Sequence, residues 1–103
     1  MSSKVLIKIH NEYLRIISIC DKDLFNKEIE HNGLRIKIKE PFYGGEEYDI
    51  EKDLEKIKEI LQDFDVINAI GKNSIELLKR LGIIRDVHVK YIKDIPHIQV
   101  YVI

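Results

Sequence analysis

The chain has 103 residues, enough for one hydrophobic core and a single domain over residues 1–103, and too few for two. Its 17 basic and 18 acidic side chains leave a net charge of −1, so the whole-molecule field that draws a protein to naked nucleic acid or an anionic membrane is missing. One cysteine, Cys20, excludes an intramolecular disulfide and a cysteine-rich zinc site, and no apolar run approaches the roughly 20 residues that span a bilayer.

Two alternating runs come first. Val5, Ile7 and Ile9 face one way and Lys4, Leu6 and Lys8 the other; after a turn at Asn11-Glu12 the period of two resumes from Tyr13 to Cys20, which predicts a β-hairpin. Asp21-Lys22-Asp23 interrupts the pattern. Asn32-Gly33 is the residue pair favoured in a type I′ turn, where both central positions need positive φ. That turn dictates a register: Ile29 opposite Ile36 on the core side, Glu30 opposite Arg35 and Glu28 opposite Lys37 on the other. Cross-strand charge pairing thus accounts for the basic stripe Arg35, Lys37, Lys39 without RNA.

Ile50, Leu54, Ile57, Leu61 and Phe64 then recur at spacings of three and four, the pattern of an amphipathic helix lying on a sheet, with Asp49 as its N-cap. Asp65 to Gly71 is short and nearly all apolar, as expected of a central strand covered on both faces, and Asn68 inside it calls for a hydrogen-bond partner. Asn73, three residues before Glu76, approximates a capping box opening a second helix. Lys79 and Arg80 near its end, Gly82 beyond it and Ile83 after that predict a Schellman-type close. Val87 to Lys93 and His97 to Ile103 read as two last strands around Asp94-Ile95-Pro96. The order is ββββαβαββ, an α+β (mixed α/β) domain with two helices packed on a mixed sheet.

Stability alone accounts poorly for one stretch, Phe42, Tyr43, Gly44, Gly45, Glu46, Glu47 and Tyr48, which reads as a long loop between strand and helix. Its glycines let the chain bend, its aromatics offer contact area and its acids meet basic groups, so it is the first candidate for a partner-binding element. Gly44 to Tyr48 is similar to the glycine-acid signature of diguanylate cyclases, but it follows Pro41 and leads into a helix, the wrong context for that chemistry. Gly71, Lys72, Asn73 and Ser74 form the second candidate, a helix N-terminus whose amides could hold a phosphate, although the spacing is not that of a Walker A loop. Asn68 and His97 make a third, polar candidate, with Pro96 fixing the turn before the imidazole. His10, His31, His88 and His97 lack metal-ligand spacing, and Ser2, Ser3, Ser18 and Ser74 have no nucleophile motif around them, so no metal, cofactor or catalytic set is read here.

The pieces that follow one another along the chain resemble an uncharacterised archaeal family, domain-of-unknown-function family 424. They are the hairpin ending at Cys20-Asp21, Gly33-Leu34-Arg35, Phe42-Tyr43-Gly44-Gly45-Glu46, Asn68-Ala69-Ile70-Gly71 leading to Ser74-Ile75-Glu76-Leu77, and Ile95-Pro96-His97-Ile98-Gln99. The resemblance implies a small cytoplasmic archaeal protein, with genes near translation genes and no catalytic residues to carry over. A thermophilic source fits the abundance of Ile, Lys and Glu. The expected function is a non-enzymatic interaction module of the translation or RNA-processing machinery, with a protein or ribonucleoprotein partner. Two rivals remain: a small enzyme or ligand-binding protein with a phosphate at Gly71–Ser74 and His97 or Glu46 as acid-base groups, and a homo-oligomer built through the apolar strand Ile98 to Ile103. The tail from Val100 to Ile103 has no role the resemblance explains.

Overall fold

A computed structural model describes residues 3–102. Ser2, and Ile103 at the end of the expected last strand, lie outside the described residues. Eight strands and two α-helices follow one another: β1 Lys4–Asn11, β2 Arg15–Asp21, β3 Lys27–His31, β4 Leu34–Ile38, β5 Glu46–Asp49, α1 Leu54–Ile60, β6 Val66–Ile70, α2 Lys72–Arg80, β7 Lys90–Ile92 and β8 Ile95–Tyr101. Six strands form one sheet in the order β5-β1-β2-β6-β8-β7, and β3 with β4 forms a separate hairpin. Only β2 and β6 run parallel; every other neighbouring pair is antiparallel, so this is a mixed sheet in an α+β domain.

The period of two decides which side chains meet which layer. Val5 and Ile7 of β1, Ile17 and Ile19 of β2, Ile67 and Ala69 of β6 and Ile98 of β8 share one face, where Ile57 of α1 and Ile75, Leu77 and Leu78 of α2 cover them. Full burial of each large aliphatic side chain there contributes roughly 1.5–3 kcal/mol, which outweighs the weak intrinsic stability of such short helices. On the opposite face a second, smaller core joins Cys20 and Ile70 to Ile29 and Ile38 of the hairpin, with Leu6, Phe25 and Tyr43 packed against it.

The β3–β4 turn adopts the expected conformation, with φ of 52° at Asn32 and 78° at Gly33, and Ile29 pairs with Ile36, Glu30 with Arg35 and Glu28 with Lys37. α2 closes as a Schellman motif: the Ile83 amide donates to Leu78 O at 2.9 Å, the Gly82 amide to Lys79 O at 3.0 Å, and Gly82 takes φ of 72°. Three local expectations are corrected. The last turn falls at Lys93-Asp94, so Ile95 and Pro96 lie inside β8 rather than in a turn before His97. α1 starts at Leu54 rather than at Ile50, because the Asp49 carboxylate accepts from the amides of Glu51 and Lys52 and holds a separate turn ahead of the helix. The amino end of α2 is not held by an Asn73–Glu76 box, since Glu76 pairs forward with Arg80 at 3.1 Å.

The short edge strands make the two ends of the sheet unequal. β5 pairs only with Lys4–Ile7 of β1, and β7 only with Ile95–His97 of β8. Through Leu6, the sheet is six residues wide: Glu47, Leu6, Cys20, Ile70, His97 and Lys90 stand in one row. At the other end it is four wide, with His10, Ile16, Val66 and Tyr101 in a row. The hairpin and the chain around Tyr43 close the wide end, and the narrow end is left open on the face away from the helices.

Candidate functional site

At the closed end, β2 and β6 finish side by side, and the crevice beyond parallel strands is where α/β proteins often bind ligands. Here the protein fills it itself. Asp21, the last residue of β2, is 5% exposed; its Oδ2 accepts from the Asn73 amide at 3.0 Å, and its Oδ1 from the Ser74 amide and the Ser74 hydroxyl, both at 2.8 Å. A carboxylate suits the positive end of a helix dipole, yet burial outweighs these hydrogen bonds and pushes the Asp21 carboxyl above its ordinary value. Gly71 makes the contact possible: it takes φ of 111°, and a Cβ there would overlap the Asp21 carboxylate. The amides of Asn73 and Ser74 that the sequence offers to a phosphate are therefore already engaged, and Ser74 is wholly buried. Lys72 remains exposed on a cleft of about 250 Å³ that it shares with Asp21, Asp23 and Asp94, three groups that repel an anion.

The stretch from Phe42 to Tyr48 divides into parts with different work. Glu46, Glu47 and Tyr48 belong to β5, so the expected long loop is half strand. Glu47 pairs with Lys4 at 3.2 Å and Lys22 at 2.8 Å, and the hydrogen bonds from Lys22 and Lys4 hold its carboxyl below the ordinary value. Tyr48 packs on the main core and donates to Glu46 Oε2 at 3.2 Å. Tyr43 enters the second core, where burial and the nearby Cys20 push its hydroxyl up to about 12. Gly44 is buried at φ of 129°, and a Cβ at Gly45 would overlap the Ile7 carbonyl, so the glycines serve a close chain crossing. Of the aromatics in this stretch, Phe42 is the exposed one.

Phe42 sits at the open end. Its ring stacks on His10 with centroids 5.2 Å apart and planes at 13°, and meets Tyr43 edge-on at 4.9 Å. The Phe42 carbonyl can only accept, so His10 Nε2 carries the proton that it donates there at 2.9 Å; the same nitrogen lies 3.2 Å from Ser18 Oγ. A recess of about 340 Å³ opens beside the stack, lined by His10, Glu12, Tyr13, Leu14, Ile16 and Phe42. Tyr13, at the tip of the β1–β2 turn, is 98% exposed. Across the same face the register lines up Lys8, Ser18, Asn68 and Gln99, one from each long strand. Asn68 is half-buried in this row, and the Tyr101 hydroxyl donates to Gln99 Oε1 at 3.0 Å.

His97 stays near the closed end, opposite Ile70 and Lys90, and burial with the neighbouring lysine charge holds its imidazole below the ordinary histidine value. Glu46 lies opposite Ile7, four strands from β8, or about 19 Å at the usual strand spacing. The structure does not bring His97, Glu46 and Ser74 together, so the acid-base set proposed around a phosphate does not assemble. Cys20 is buried, and its thiol is pushed up to about 12 by burial, which keeps it protonated and unreactive. Among the described residues no group of three metal-ligating side chains converges, and no helix is long and apolar enough to cross a membrane. The C-terminal strand is not the sheet edge, since β7 covers Ile95–His97; beyond that point its outer side has no strand partner among the described residues.

Sequence reasoning missed Asp21, His10, Tyr13, Gln99 and Tyr101. Asp21 gave one signal, a carboxylate closing an apolar strand. The others become a set only when β1, β2, β6 and β8 are laid side by side.

No curated protein matches the chain. The fold is similar to a crystal structure of an uncharacterized conserved protein from Methanopyrus kandleri, at a TM-score of 0.84 and 29% sequence identity, covering 95% of this chain and 90% of that one. The family model described as protein of unknown function (DUF424) matches residues 9–103, and the chain belongs to that family.

Proposed function

We propose that the protein is a non-enzymatic interaction module, cytoplasmic and archaeal, and that its contact surface is the open end of the sheet. One observation carries this reading. Of the eight exposed large hydrophobic side chains among the described residues, four stand around its bare face, Tyr13, Leu14, Phe42 and Tyr101, while Ile9 and Val102 lie at the same end on the helix side. Exposed apolar side chains scattered singly need no explanation, but a cluster around a bare sheet face marks a surface that a partner covers. The proposed setting is a protein or ribonucleoprotein assembly of translation or RNA processing, in line with the family resemblance and the near-neutral charge.

The structure changes which residues test this. Tyr43 is a core residue, so Phe42 and Tyr13 are the side chains to remove. A tagged chain in lysate of its native host, run through a density gradient, is expected to travel with large particles, and Phe42→Ala with Tyr13→Ala to stay near the top. Free migration of the unaltered chain at both low and high salt would overturn the proposal.

A further inference from the structure

We infer that the free edge of β8 takes an acidic, extended segment of a protein partner as an added strand, an inference that rests on the open end being the contact surface and names the chemistry of its partner. Antiparallel pairing turns the N–H and C=O of successive residues alternately to either side of a strand. The Gly71 amide donates to Pro96 O at 2.8 Å and the Val102 amide to Asp65 O at 3.0 Å, so the even-numbered residues from Pro96 to Val102 point their backbone groups at β6. The odd-numbered ones point outward. His97 faces Lys90 of β7, but β7 begins at Lys90, and Gln99 and Tyr101 have no strand opposite them on that side. No turn or loop backbone group among the described residues meets their outward groups either. Two N–H donors and two carbonyls are thus left in line, along about 16 Å of strand from Ile98 to Val102. Such an edge is a template that another strand completes.

The groove beside this edge sets the kind of strand. It holds about 230 Å³ and is lined by His88, Lys90, His97, Ile98, Gln99 and Tyr101, with no carboxylate. Lys90 is exposed and has no ion pair among the described residues. The acids of the neighbouring elements are engaged elsewhere: Asp86 pairs with Lys79, Asp65 accepts from the Arg15 amide, and Asp94 lines the closed-end cleft. A carboxylate on the incoming strand therefore meets Lys90 and the imidazoles of His88 and His97, whereas a basic strand is repelled. A second copy of β8 paired with itself would set Gln99 against Tyr101 and bring no acid to the groove. The Gln99 and Tyr101 side chains, joined at 3.0 Å, stand beside the edge where alternate side chains of an added strand would lie.

A labelled peptide of alternating glutamate and valine, about ten residues long so that it outreaches the free edge, is titrated by anisotropy against the full chain. Two companions are the same peptide with lysine for glutamate and the same peptide N-methylated throughout. The acidic peptide is expected to bind and to slow hydrogen exchange at the Gln99 and Tyr101 amides, and its companions to bind at least about tenfold more weakly. Proline is tolerated where a strand turns its N–H outward, so Gln99→Pro keeps the fold, removes one donor and sets a ring in the partner's path. Binding should fall about tenfold or more in Gln99→Pro, with little change in Gln99→Ala, and about threefold in Lys90→Gln. The N-methylated peptide and the exchange readout use the unaltered chain, so they decide the question even if Gln99→Pro fails to fold. No binding of the acidic peptide up to about 1 mM, equal binding of either companion, or unslowed exchange at Gln99 and Tyr101 would overturn the inference. So would a dimer in sedimentation that Gln99→Pro dissolves, since a second copy would then hold the edge. If the peptide fails while particle association still depends on Phe42 and Tyr13, strand addition falls and the interaction module stands.

Discussion

The two ends of the sheet are made from the same four long strands and spend their side chains differently. At the closed end two short strands widen the sheet, the hairpin covers its outer face, and a buried carboxylate closes the crevice beyond the parallel pair. At the open end the edge strands stop short, and Phe42, Tyr101 and the amides of Asn68 and Gln99 stand on the face away from the helices, with Ser18 and Val66 buried among them. The comparison separates residues that hold the fold from residues that the proposed partner would cover. The glycine-rich motifs that look most like binding elements in the sequence mainly belong to the first group.

Substitutions at the closed end should therefore cost stability, and those at the open end should cost binding. The largest effect is expected at Gly71→Ala, where a Cβ meets the Asp21 carboxylate at a φ that favours glycine, and about 3 kcal/mol or more should be lost in denaturant unfolding. Asp21→Ala removes the acceptor of the buried Ser74 amide and hydroxyl and of the part-buried Asn73 amide and should lose about 3 kcal/mol, with Asp21→Asn in between. Unfolding midpoints unchanged in these variants would break the comparison at its firm end. The neighbours Phe42 and Tyr43 sharpen it: Tyr43→Ala should lose about 3 kcal/mol, and Phe42→Ala about 1 kcal/mol for its stack on His10. Equal losses would mean that Phe42 is structural. Asn68→Ala and Tyr101→Ala should move stability by less than about 0.5 kcal/mol.

A pH titration sets a smaller test. Burial and Lys90 lower the His97 pKa below 6.5, so the unfolded chain takes up this proton first. The stability linked to His97 is present above the unfolded value and is lost as pH falls through the lower, folded one. NMR should place its midpoint below 6.5, and Lys90→Gln should move it upward; a midpoint above 6.5 would contradict the half-buried position.

What the sequence showed of the fold was local in origin. Asn32-Gly33 dictated both a turn and a register because φ at two residues settles where every later pair falls, and Gly82 with Ile83 dictated a helix end for the same reason. Glu46 to Asp49 was read as loop because a four-residue edge strand with three acids carries almost no apolar period. The cap of α2 was out of reach: Asp21 is more than fifty residues from Ser74 along the chain, and only the parallel pairing of β2 with β6 brings them together. The open face was hidden for the same reason. Its rows cross four strands at right angles to the chain, so His10, Asn68, Gln99 and Tyr101 look unrelated in one dimension. Phe42 was singled out for its place in a glycine loop, and its stack on His10 was not legible there.

The most direct test of the comparison is one density gradient run with three chains: the unaltered protein, an open-end variant with Phe42→Ala and Tyr13→Ala, and a closed-end variant with Leu34→Ala and Tyr91→Ala. All four positions are exposed, so all three chains should fold. Comigration of the unaltered and closed-end chains with large particles, lost only in the open-end variant, is the result expected if the bare face is the working surface. Loss in the closed-end variant instead, or free migration of all three, would contradict it.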